Sequence, residues 1–146
     1  MVMHPRPTYD DANLILRLYE MRREERMRHA RAWFTSTCKG VKSYEELIKL
    51  APGGSDENAS YRMVVTYWEL VSSFIASGIL HRELFFQSGR ELLLVWERVS
   101  DFLPSMREAY KDPNYLKHLE TVGTEFAAYV KLSGTETYQA FQKRVK

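Results

Sequence analysis

Trp68-Glu-Leu-Val-Ser-Ser-Phe-Ile-Ala-Ser77 and Trp96-Glu-Arg-Val-Ser-Asp-Phe-Leu-Pro-Ser105 carry one lettering twice, 28 residues apart. Trp, Glu, Val, Ser, Phe and the closing Ser recur in place, and Ile75 is matched by Leu103. In a helix Trp68, Val71 and Phe74 stand three residues apart on neighbouring turns of one face, as do Trp96, Val99 and Phe102. Two helices with one apolar pattern predict a central helical hairpin whose arms present similar surfaces to a shared core. Trp68 and Trp96 should then both be largely buried.

Working outward, the same helical rhythm continues on both sides. Tyr61, Val64, Val65 and Trp68 lead into the first copy, which Gly78 should stop in the left-handed conformation. His81 or Arg82 opens the element carrying the second copy, with Gly89 inside it marking a kink or a close helix contact and Pro104 ending or bending it. Ser105 to Tyr110 continues at a changed angle. Asp112-Pro113 reads as an N-cap with a first-turn proline, followed by the stripe Tyr115, Leu119, Val122, Phe126 and Val130. Upstream, Ser55 or Asn58 opens the first-copy helix, and Ser43-Tyr-Glu-Glu46 has the capping-box spacing for a short helix over 44–51. After a flexible lead over residues 1–7, Thr8 or Asp10 caps a long helix running to about Phe34. Residues 135–146 form a short terminal helix behind Gly134. No alternating β-branched run occurs. The reading is all-α: a single-domain helical bundle of five to six helices spanning 1–146.

Composition agrees. At 146 residues, 45% hydrophobic and 27% charged, the chain is large enough for one core and too apolar for disorder. A net charge of +2 does not by itself imply a polyanionic partner. The lone Cys38 excludes an intrachain disulfide framework and fits a reducing compartment. The opening residues lack the basic and apolar regions of a signal peptide, and Met63 to Leu80 is interrupted by Glu69. The expected address is the cytoplasm, with no membrane span.

Chemistry-bearing motifs are scarce. There is no Glu-x-x-His pair, no His-Glu-x-x-His, no Gly-x-Ser-x-Gly elbow and no phosphate-binding Gly-rich loop. Catalytic residues, metal ligands and cofactors are accordingly read as none. Glu97 and Asp101, four apart, repel on a helix and call for Arg98 or another arginine. Cys38 has Lys39 and Lys42 nearby, and His81 reads as a helix-start residue. Arg17, Arg22, Arg23, Arg26, Arg28 and Arg31 stand against Glu20, Glu24 and Glu25, a local +3 (6 − 3). The pairs Glu24–Arg28 and Glu25–His29 suit a solvated face, so nucleic-acid contact is not the leading expectation. Arg22, Arg23 and Arg26 are the candidate anion contacts. Trp68, Glu69, Trp96, Glu97, Arg107 and Glu120 form a candidate functional cluster, in which the glutamates can accept from an indole N–H or pair with Arg62, Arg90 or Arg107.

The run Tyr67-Trp-Glu-Leu-Val, Gly78-Ile-Leu-His-Arg-Glu, Phe86, Trp96-Glu-Arg, Phe102-Leu, Arg107, Pro113-Asn-Tyr and Glu120 resembles a bacterial family catalogued only as a domain of unknown function. The likeness covers about residues 60 to 125 and weakens through the first helix. It implies an all-α fold and no activity. It also implies an N-terminal membrane anchor in many relatives, which the opening of this chain is not expected to supply.

Three functions stay open. The leading one is a cytoplasmic, non-catalytic protein-interaction module, a homodimer with an unknown protein partner. The second is a nucleic-acid or anionic-surface binder using the first helix and Lys143-Arg144-Val-Lys146. The third is an enzyme or small-ligand binder built on Glu69, Glu97, Arg107 and Glu120. The dimer expectation rests on the long first helix, whose Tyr9, Tyr19, Met21, Met27, Trp33 and Phe34 exceed what its short partners easily cover. About 26 residues span roughly 39 Å, so an end bearing Met27, Trp33 and Phe34 should project and need covering.

Overall fold

Thr8 opens the first helix through a capping box in the computed structural model, which describes residues 5–146. Its Oγ1 accepts from the Asp10 N–H, and the Asp11 carboxylate accepts from the Thr8 N–H at 2.8 Å. The lead expected over 1–7 lies partly outside the described residues; Pro5 to Pro7 precede the helix in irregular conformation. Helix α1 (Tyr9–Arg22) then stops, where the periodicity predicts one helix on to Phe34. Glu24 is the cause. Its backbone leaves the helical region at ψ 141°, and its carboxylate accepts from the Arg26 and Met27 N–H groups, both at 3.0 Å. A second helix, α2 (Glu25–Ser36), starts there at a new angle. Met27, Ala30 and Phe34 consequently enter the core, so no apolar end projects. Glu24 is engaged in the cap and His29 faces Asp56 at 3.0 Å, in place of the i, i+4 pairs expected for both.

Ser43 caps α3 (Tyr44–Leu50) by accepting from the Glu46 N–H, while the Glu46 carboxylate reaches back to the Lys42 N–H. Ser55 caps the long α4 (Asp56–Ala76), and Gly78 follows at φ +77°. The element expected from His81 to Leu103 is divided into α5 (Arg82–Phe86) and α6 (Arg90–Val99), with α7 (Leu103–Tyr110) carrying Pro104 in its first turn. Gly89 sits at the first break because a Cβ there would overlap the Phe85 ring. Asp112 caps only a turn, accepting from the Asn114 N–H at 3.0 Å. Helix α8 (Lys117–Lys131) begins later, after Leu116 at φ +55°. Gly134 at φ +135° leads into α9 (Thr135–Val145). Nine helices and no strand are found among the described residues, against the five to six expected. The difference is the three breaks.

Helix α4 is the central member, packed between α2 and α8; α8 carries α6 and α9 on its other side, and α3 packs on α7. The two copies of the repeat do not form the expected hairpin, since α4 and α6 meet only marginally. Nor do they share an environment. Trp68 is 1% exposed, whereas Trp96 is only partly buried, laid across Gly123 of α8, where a Cβ would collide with its indole. Phe74 is half-buried and Phe102 buried. Turn-limited at both ends, α6 presents Glu97 and Arg98 inward. No described helix is long and apolar enough to cross a membrane.

Candidate functional site

The acids of the predicted cluster have separate duties. Leu116, at the N-cap of α8, has no side-chain acceptor, and Glu69 supplies one from α4. Its carboxylate accepts from the Leu119 N–H at 2.7 Å and the His118 N–H at 3.3 Å, with His118 Nδ1 at 2.8 Å. A negative charge there also suits the positive end of the helix dipole. Glu97 faces α9 instead. It is 3% exposed and takes hydrogen bonds from the Tyr138 hydroxyl and, at 3.2 Å, from Gln142, with Lys146 Nζ 3.8 Å away. Burial and that carboxylate push the Tyr138 phenol up. Arg107 and Glu120 do pair, at 3.1 Å, and Arg107 also donates to the Tyr115 carbonyl. Glu69 and Glu97 thus hold different helices, and neither pairs with Arg62, Arg90 or Arg107. Trp68, Glu69, Trp96, Glu97, Arg107 and Glu120 do not share one cleft through any of these bonds.

The three candidate anion contacts also diverge. Arg26 donates to Asp56 at 3.1 Å and to Ser60. Arg23 is exposed at the end of α1. Arg22 lies inward, its guanidinium carbon 5.2 Å from the Trp68 ring centre and 5.4 Å from that of Tyr19. Arg31 grips Glu91 with Nε and Nη2, and Arg22 reaches the same carboxylate only at 3.6 Å. Below Arg22 is a recess of about 80 Å³ walled by Ile15, Leu18, Tyr67, Trp68 and Phe85. At the C-terminus, Lys146 pairs with Asp101 at 3.2 Å and Arg144 lies over Phe141.

Cys38 is fully buried, and burial pushes its thiol up to about 12, so the thiolate that lysine neighbours could favour is not formed at neutral pH. His81 opens α5 as expected, its Nδ1 accepting from the Leu84 N–H. No group of three or more potential metal ligands is found among the described residues.

Two features go beyond the sequence reading. Arg98 is buried and donates to the carbonyls of Phe34, Cys38 and Val145. The available signal was a charge standing where the other copy of the repeat has Leu70. The second is where the large apolar side chains of α1 stand: Tyr9 at 90%, Leu16 at 62%, Tyr19 at 53% and Met21 at 45% exposed, with Tyr9 and Leu16 on the outer face and Tyr19 and Met21 on its two flanks. A shallow groove along it is lined by Asn13, Leu16, Arg17, Glu20 and Met21.

No curated protein and no solved structure matches this chain. Residues 7–126 match the family described as domain of unknown function DUF4760, covering every helix from α1 into α8. The chain belongs to the DUF4760 family.

Proposed function

We propose that this domain is a non-catalytic interaction module that pairs with a second copy of itself across the outer face of α1. The observation that carries the reading is the concentration of exposed apolar side chains on one 14-residue helix whose opposite side is anchored. That anchoring comes from Leu18, whose carbonyl accepts from the buried Tyr67 hydroxyl at 2.6 Å, and from Asp11, which accepts from the His81 N–H at 2.9 Å. The exposed stripe is Tyr9, Asn13, Leu16, Glu20 and Arg23, spaced by four, three, four and three residues. That is a seven-residue repeat, which places Tyr9 and Arg23 seven residues to either side of Leu16.

Two such helices set antiparallel about a twofold axis would bring Leu16 onto Leu16, Tyr9 beside Arg23 and Asn13 beside Glu20 of the second copy. Asp10 would then approach Arg23, and the helix dipoles would oppose each other. A face that complements itself under rotation is the requirement for a twofold interface. One short helix per copy buries little area, so the pairing is weak and reversible. The engagement of Glu69, Glu97 and Arg26 within the fold favours this reading over the acidic-site and polyanion alternatives. A buried, unpaired Cys38 supports a cytoplasmic setting.

The test is oxidative cross-linking of Leu16→Cys. Cys38 is inert at neutral pH, so a covalent dimer reports the engineered thiol alone. Leu70→Cys, also exposed but on α4, is the control. Dimer formation in the first and not the second supports the axis; equal cross-linking in both overturns it.

A further inference from the structure

We infer that the recess beneath Arg22 is a binding site for a small monocarboxylate, the carboxylate meeting Arg22 and Trp68 and a short apolar tail entering between Leu18 and Phe85. Two buried donors there lack an acceptor among the described residues: the indole Nε1–H of Trp68 and the Nε–H of Arg22. Trp68 is 1% exposed, and a buried polar group of this kind is normally hydrogen-bonded. Both side chains wall the same cavity, with the guanidinium carbon 5.2 Å from the indole ring centre.

The charge balance favours an anion. Arg22 and Arg31 face a single acid, Glu91, leaving a local +1 (2 − 1). Arg31 holds both Glu91 oxygens at 2.9 Å, so that carboxylate is neutralised by another residue and repels a second anion only weakly. Arg22, at 3.6 Å, is the cation without a hydrogen-bonded acid. Tyr19, Tyr67 and Ser88 bring hydroxyls to the walls of this cavity, and Tyr67 already donates its own to the Leu18 carbonyl.

Shape narrows the anion's class. About 80 Å³ exceeds the roughly 30 Å³ share of one water and is far smaller than a nucleotide site. Ile15, Leu18 and Phe85 give the cavity apolar walls, which a monatomic ion would leave unused. Gly89 keeps the space open, since any side chain there would displace the Phe85 ring that forms the wall. A two- to four-carbon carboxylate satisfies the donors, the charge and the apolar wall together.

The test is a titration of the full chain with sodium propionate, read by the Trp68 indole N–H resonance, against sodium chloride at matched ionic strength. Expected is a saturable shift with propionate in the millimolar range and none with chloride. Arg22→Gln should weaken the response about tenfold, the loss of one charge-assisted hydrogen bond, with helical content unchanged. No saturable shift in the wild type, or an equal shift with chloride, overturns the proposal. So does an Arg22→Gln variant that is folded and binds as tightly. Should that variant unfold, the contrast between propionate and chloride in the wild type still decides.

Discussion

Because Arg98 is buried with no carboxylate beside it among the described residues, the carbonyl oxygens of Phe34, Cys38 and Val145 compensate its charge. Those carbonyls belong to the C-terminal ends of α2 and α9, where a cation is favoured by the helix dipole. Burial lowers the guanidinium pKa, yet an arginine remains charged at any ordinary pH. Arg98→Met should therefore leave three acceptors unpaired and cost about 3 kcal/mol or more, measured by urea unfolding. Arg98→Lys should recover little of it, because an ammonium cannot reproduce the planar fork that reaches both helices. Gly123→Ala is the second decisive residue. In an exposed helix interior that change stabilises by about 1 kcal/mol. Here the added methyl meets the base of the Trp96 indole, which cannot swing away as the far end of a flexible chain could. The expected outcome is destabilisation by about 1–3 kcal/mol, with a change in Trp96 fluorescence.

At the scale of elements, the helices are positioned by carboxylates placed on N-termini. Glu69→Ala should fray the first turn of α8, seen as faster amide exchange at His118 and Leu119, and cost about 1–2 kcal/mol. Asp11 does the same for the junction of α1 with α5. The Thr8 and His81 N–H groups bonded to it hold its carboxyl below the ordinary value of 3.8. A lowered native pKa means the contribution is complete above about 3.8 and disappears as pH falls through the native value. Thermal stability should thus drop as pH is taken below about 4, and Asp11→Asn should shrink that drop. Asp101 adds to it: burial raises its pKa, but the bonds from Lys42 and Lys146 prevail and lower it.

Local capping signals were legible in the sequence for a physical reason: Thr8, Ser43 and Ser55 bond to N–H groups two or three residues away, and Gly78 and Gly134 need only their own backbone freedom. The break at Glu24 was not, and Gly89 could be read only as a kink or a close contact. Glu24 competes with a helix that its neighbours could continue, and Gly89 is fixed by a ring that folds over it. The hairpin failed on the same ground, because one lettering fits two burial patterns once neighbours rotate the helix. For the candidate cluster, Arg107 with Glu120 was the pairing within reach, being thirteen residues apart. Which helix start Glu69 meets, 49 residues on, depends on tertiary packing alone.

For the whole molecule, the fold leaves one element only half covered. Helix α1 is anchored on its inner side by Asp11 and Leu18, and its outer stripe centres on the exposed Leu16, with Tyr9 and Arg23 seven residues to either side. The account stands or falls on that face. Sedimentation equilibrium from low to high micromolar concentration, run on the wild type and on Leu16→Glu, tests it most directly. The wild-type mass should climb with concentration from that of the 17.2 kDa chain toward twice that value, and the variant should stay at one chain. A wild type that remains at 17.2 kDa throughout, or a variant that associates as strongly, would contradict the account.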